Sequence, residues 1–255
     1  MQCCLGVLLM QVGAVAVSQE TAALQIPFIE RPPSLDDFPG MQPTPEISAM
    51  MARVEGFIQR EPSDGAPASQ ETVVFAAYDN VNFYAVHLAF DTEVDQIRSN
   101  LAPREEIQND DWVGLIIDTF NDQRNAYGFG VSAAGVQSDG RWSDLESGFR
   151  AWDGSYEAVW YTDARLTDLG YMTQMTIPLR NLRFPANADQ VWRVQFGRNI
   201  PRLSENSYWP AYSSIIEGRL NQAAVATGIR DVSPGRNIQL VPFVFGRNFD
   251  VLDSA

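Results

Sequence analysis

Residues 71–90 read ETVVFAAYDNVNFYAVHLAF, from Glu71 to Phe90. Two apolar runs, Glu71–Tyr78 and Phe83–Phe90, flank the polar turn Asp79-Asn80-Val81-Asn82. That pattern predicts a β-hairpin, because Asp and Asn supply the turn while Val, Phe and Tyr suit extended backbone. On the second run Phe83, Ala85, His87 and Ala89 share one face, and Tyr84, Val86, Leu88 and Phe90 the other. The same period continues outward. Trp112–Asp118 (WVGLIID) reads as a doubly buried strand, and Ala126–Ala133, Glu157–Arg165, Tyr171–Leu179 and Val191–Ile200 as further strands. A short helix is expected over Asp91–Asn100, where Val94 and Ile97 are three apart, and a long polar loop over Gln137–Ser155. Many short strands and few helical patterns predict an all-β antiparallel β-sandwich.

Composition narrows the function. The 255 residues carry 18 basic and 32 acidic side chains, a net charge of −14, and every basic residue is arginine. No basic run exists to neutralise phosphates, so nucleic acid is not an expected partner, nor is an anionic membrane surface. The two cysteines, Cys3 and Cys4, lie in an uncharged apolar stretch that ends at Val17 and resembles a signal h-region. Residues 1–18 are therefore expected to be a signal peptide, removed on export. The mature chain is then cysteine-free, and thiol chemistry drops out. Residues 19–49 read as a Pro-rich linker, since six of the 15 prolines fall between Pro27 and Pro45. The sandwich module is expected over residues 50–232. The strand-like run Ile238–Arg247 (IQLVPFVFGR), inside residues 237–255, reads as the start of a further domain.

Few residues stand out as chemistry. His87 is the one histidine, and a histidine inside a strand is expected to be packed rather than catalytic. Gly128-Phe129-Gly130 lacks the spacing and setting of a dinucleotide loop. Asp118, Asn121 and Asp122 could supply oxygen ligands to a structural calcium, while an Asx-rich turn explains them equally well. Trp160 and Trp192 fall in strand patterns and are expected in the core. Trp142 and Trp152 share the polar stretch with Asp139, Asp144 and Asp153, and Trp112 opens the buried run. Indole faces stack on the C–H faces of sugars, and nearby carboxylates accept hydroxyl hydrogen bonds. These six residues are the candidate ligand-binding set.

The order of motifs adds a resemblance. Phe57-Ile58-Gln59-Arg60, Asp111–Asp122, Arg124–Phe129, Ala133–Gln137, Ile177–Phe184 and Phe196–Arg202 follow one another, with Trp209 after them. The series resembles the N-terminal region of bacterial outer-membrane proteins in which a family-9-like carbohydrate-binding module precedes a large β-barrel. It spans roughly Arg53 to Arg247. The resemblance implies a jelly-roll, lectin-like sandwich, a polysaccharide or oligosaccharide partner, a C-terminal barrel domain in the natural chain, and a place in the periplasm or outer membrane of a Gram-negative bacterium. Modules of that family clamp a terminal sugar between two tryptophans. The matching positions here hold Gln108 and Asn109 ahead of the buried strand, and only Tyr212 within Ala211–Gly218.

The leading expectation is a non-catalytic carbohydrate-binding module accessory to carbohydrate catabolism at the cell envelope. A glycoside hydrolase using acids near Asp118 and Asp139 is the second reading, and a structural plug domain that binds no sugar the third.

Overall fold

A computed structural model describes residues 22–234. The signal-peptide reading of residues 1–18 and the strand expected at Ile238–Arg247 lie outside the described residues. Two sheets carry the chain. The nine-stranded sheet runs β1 (Ala23–Gln25), β14 (Ala224–Thr227), β12 (Trp192–Ile200), β6 (Trp112–Asp118), β7 (Asn125–Ser132), β8 (Gln137–Ser143) and β9 (Trp152–Asp153). It is extended by β13 (Glu205–Trp209) on β12 and β3 (Ile58–Glu61) on β13. The five-stranded sheet runs β10 (Tyr161–Thr167), β11 (Gly170–Pro178), β5 (Asn82–Phe90), β4 (Thr72–Tyr78) and β2 (Ala52–Val54). All pairings are antiparallel except β1 with β14. The expected antiparallel sandwich is what forms.

The deciding hairpin forms as read, with Tyr78 opposite Phe83. Asp79 closes it: Oδ1 accepts from the Val81 and Asn82 amides at 2.7 and 2.6 Å, and Oδ2 from the Tyr84 hydroxyl at 2.7 Å. The period of two then sorts the side chains. Phe83, Ala85 and Ala89 enter the core between the sheets, with Leu115, Phe129 and Phe196 from the facing sheet. His87 joins them, fully buried and edge-on to Phe196. Burial drives its pKa down to about 3, against a weak opposing contribution from the Gly114 backbone, so the ring is neutral. Trp160 and Trp192 are buried in the same core, as expected.

One end of the sandwich is closed by ion pairs. Arg198 is fully buried and Nη1 donates to the Glu71 and Phe90 carbonyls of the other sheet at 2.9 and 2.8 Å. Arg202 donates to Asp91 at 2.6 Å. The Arg198–Arg202 run is thus a tie between the sheets.

Three expectations need correction. The Pro-rich segment is not an extended linker. Its described part forms β1, two 3-10 turns and α1 (Pro45–Met50), and Ile29, Leu35, Phe38, Met41 and Ile47 pack on the outer face of the five-stranded sheet. There they meet Phe75, Tyr84, Val86 and Leu88. That face is apolar as well as the core face, and a sheet apolar on both sides must be covered on both. Over Asp91–Asn100 only Val94–Gln96 turns, as a single 3-10 turn. Gln137–Ser155 is no long loop, because β8 and β9 occupy its two ends. Those strands lack apolar alternation for a reason given by the site.

Candidate functional site

The outer face of the nine-stranded sheet is paved with glycine. Register places Gly197, Gly114 and Gly130 in one row across β12, β6 and β7, and Gly128 beside Gly140 in the next. Glycine inside a strand costs backbone entropy and offers no side chain, so it marks a close approach. What approaches here are aromatic rings. A Cβ on Gly128 would stand 2.4 Å from Trp152 Cζ3, and one on Gly140 2.5 Å from Trp152 Cζ2. One on Gly114 would meet Trp112 at 2.8 Å, and one on Gly197 would meet Tyr208 at 2.9 Å. The rings lie against bare backbone, a position any larger residue would deny them.

Above this floor is a cavity of about 250 Å³, bounded by Trp112, Trp142, Trp152, Ile107, Gln108 and Arg219 among others. Trp142 and Trp152 are directly opposed on β8 and β9. Trp152 is 38% exposed, so one side of its ring faces solvent. The Arg219 guanidinium sits 4.9 Å from the Trp142 ring, 5.0 Å from Tyr208 and 5.3 Å from Tyr212. Its Nε donates to Gln195 Oε1 at 2.7 Å. Burial pulls its pKa down from the ordinary value, opposed by Tyr208, Tyr212 and Asp144. Arginine stays charged even so.

The structure gathers Trp112, Trp142 and Trp152 into this one cavity and divides the three carboxylates. Asp144 is committed: Oδ1 accepts from Trp142 Nε1 at 2.6 Å, and Oδ2 from the Arg219 and Leu220 amides at 2.8 and 2.7 Å. It therefore positions the ring and the arginine rather than facing the cavity. Asp139 is fully buried on the other face, with Arg104, the Ala158 amide at 2.7 Å and Trp160 Nε1 at 3.1 Å. This is why β8 reads as polar. Ser138, Gly140 and Trp142 belong to the cavity face, while Asp139 and Arg141 make ionic and cation–π contacts on the other. Asp153 is exposed beside Trp152, and its bonds from Ser155 hold its carboxyl below the usual range.

Asp118, Asn121 and Asp122 fold into an Asx turn. Asp118 accepts from the Phe120 and Gln123 amides at 3.1 and 2.9 Å, and Asp122 from the Arg124 amide at 2.8 Å. Asn121 Oδ1 accepts from the Arg193 Nε at 2.8 Å, placing a guanidinium where a cation would need oxygen. The three residues do not fit a calcium ion in this arrangement. Burial raises the Asp118 pKa, yet neither Asp118 nor Asp139, the acids considered for hydrolysis, lines the cavity.

Sequence reading missed Arg219 and the glycine floor. A signal for the floor was present, since Gly128 and Gly130 fall on one face of a strand where apolar residues are expected. Arg219, one arginine among 18, carried none. Gln108, at one vacant clamp position, lines the cavity, and Tyr212, at the other, stands against Arg219.

No protein-family model matches the sequence, and no curated protein does. Solved structures do match in shape. A candidate carbohydrate-binding protein from Bacteroides uniformis superposes with a TM-score of 0.61 at 10% identity, covering 82% of this chain and 99% of that one. A family 9 carbohydrate-binding module from Caldicellulosiruptor kristjanssonii in complex with cellotriose gives 0.55 at 10% identity, over 87% and 98%. One from the same organism in complex with glucose gives 0.53 at 11% identity, over 86% and 98%. The chain has the sandwich fold of family 9 carbohydrate-binding modules.

Proposed function

We propose that this chain is a non-catalytic carbohydrate-binding module. The observation that carries the reading is the set of three tryptophans, Trp112, Trp142 and Trp152, converging on one glycine-floored cavity. Flat apolar rings bury the C–H faces of a sugar at small rotamer cost, and flanking polar groups fix its hydroxyls. The cavity is smaller than the roughly 300–1,000 Å³ that drug-sized ligands occupy, which suits a single sugar ring at a chain end. Structural neighbours that hold cellotriose and glucose support the same reading. A role at the bacterial cell envelope belongs to the proposal too, supported by the apolar Cys3–Val17 stretch.

Affinity electrophoresis through gels containing plant and algal polysaccharides tests it. Retardation is expected on at least one glycan, with Kd of about 10⁻³ to 10⁻⁵ M because one aromatic platform leaves little surplus over the cost of association. Trp152→Ala should weaken retardation about tenfold, the worth of one stacked ring. Migration unaffected by every glycan would favour the plug-domain reading instead.

A further inference from the structure

We infer that the sugar taken by this cavity is acidic, a hexuronic acid residue whose carboxylate is received by Arg219. The inference rests on the carbohydrate-binding reading and deepens it. Acids outnumber basic residues 32 to 18 in this chain, so carboxylate partners are abundant. Several arginines use them: Arg31 has Asp37, Arg104 has Asp139, Arg165 has Asp36, and Arg198 and Arg202 share Asp91. Arg219 is set apart by its place in the cavity wall. Among the described residues no carboxylate stands within 4.0 Å of its guanidinium, and only Nε is used, on Gln195. Asp144 comes near, but its oxygens are spent on the Arg219 and Leu220 amides and on Trp142.

The surroundings intensify the deficit. Trp142, Tyr208 and Tyr212 surround the guanidinium at 4.9 to 5.3 Å, so aromatic rings take much of the space water would fill. Arg60 stacks on the same Tyr212 at 4.1 Å, also without a carboxylate within 4.0 Å among the described residues, and its Nη1 is buried with no hydrogen-bond partner. Two cations thus share one aromatic cluster, and the nearby Asp64 is occupied by Ser213 and Ser214. Leaving a partly desolvated cation unpaired is unfavourable unless something else pairs with it. The planar fork of a guanidinium matches the two oxygens of a carboxylate. The hexuronic acid supplies what the cavity presents: an apolar ring face for tryptophan, and one carboxylate at the ring's edge.

Isothermal titration calorimetry on the full chain decides it with a matched pair of probes. These are a galacturonic acid trisaccharide and the same trisaccharide with its carboxyl groups reduced to alcohols. The wild-type protein should bind the acid about 10- to 100-fold more tightly, the worth of a charge-assisted hydrogen-bond pair. Arg219→Gln should erase the difference, and Trp152→Ala should weaken both probes together. Equal binding of the two by wild type would overturn the acidic-sugar inference and leave carbohydrate binding standing. Binding of neither would overturn the acidic-sugar inference, and carbohydrate binding would then stand or fall with the electrophoresis panel. Preference for a sulfated galactan trisaccharide over the uronide would overturn the carboxylate assignment. Because the first comparison uses only wild-type protein, it holds even if Arg219→Gln fails to fold.

Discussion

The two sheets of this sandwich have outer faces of opposite design. On the five-stranded sheet, Phe75, Tyr84, Val86 and Leu88 point outward and are sealed by Leu35, Phe38, Met41 and Ile47 from the N-terminal segment. On the nine-stranded sheet the corresponding positions are Gly114, Gly128, Gly130, Gly140 and Gly197, and a few aromatic rings rest on them around an open cavity. Large apolar side chains call for a permanent cover. Glycines supply room and a flat floor, which a sealed face has no use for. The difference supports the open face as the one used in the proposed function.

Breaking the sealed side should have the largest effect. Phe38 is fully buried and packs on Phe75 at 5.3 Å between ring centres. Phe38→Ala should cost about 3–5 kcal/mol in urea unfolding, as truncated core aromatics do, while glycan affinity of the folded protein stays unchanged. Trp160→Ala, in the inter-sheet core, should fall in the same range.

On the open side the effect should be on binding instead. Gly128→Ala drives a methyl into the space of the Trp152 ring, 2.4 Å from Cζ3. With the ring 38% exposed, it can swing outward. The expected loss in calorimetry is about tenfold in affinity or more, the value of the stacked ring, with stability altered by only about 1 kcal/mol.

A smaller effect sharpens the contrast between core and site. His87 titrates near 6.5 when unfolded and is held to about 3 when folded, so between those values the unfolded chain binds the extra proton. Stability is complete above about pH 6.5 and falls as pH drops toward the folded value, by at most about 1.4 kcal/mol per unit. Wild type should therefore lose about 1 kcal/mol between about pH 6.5 and 5.5. His87→Leu should flatten that part of the pH profile, and a wild-type slope retained in the variant would assign it to other groups.

The smallest effect is reserved for Asp153. Exposed and bonded only to Ser155 in its own turn, it should leave the melting temperature nearly unmoved when replaced by asparagine.

The sandwich was legible because its strands obey a period of two, and the Asp79–Asn82 turn has side chains that can close a hairpin. The sealing segment was not. Proline density over Pro27–Pro45 reads as a linker, whereas the interspersed Ile29, Leu35, Phe38 and Met41 matter only once a bare apolar sheet face exists to receive them. The apolar outer face of Tyr84, Val86 and Leu88 was the available clue. At the site, Trp112 was legible as a strand residue, whereas Trp142 and Trp152 were legible only as residue types, since β8 and β9 carry the polar sequence of a cavity wall. The partners of Asp139 and Asp144 were not legible, because a carboxylate accepts an amide, an indole or a hydroxyl equally well, and only distance says which. Arg219 became visible only when its place in the cavity wall, among Trp142, Tyr208 and Tyr212, was known.

The proposed function places glycan on the glycine-floored face and nowhere else. Two-dimensional NMR of the indole N–H groups tests it most directly, because the tryptophans supply site probes and controls in one spectrum. On titration with an oligosaccharide of a retained glycan, the Trp112, Trp142 and Trp152 signals should shift together in a saturable manner, while buried Trp160 and Trp192 stay fixed. Saturable binding with those three signals unmoved would place the glycan elsewhere and overturn the proposed site.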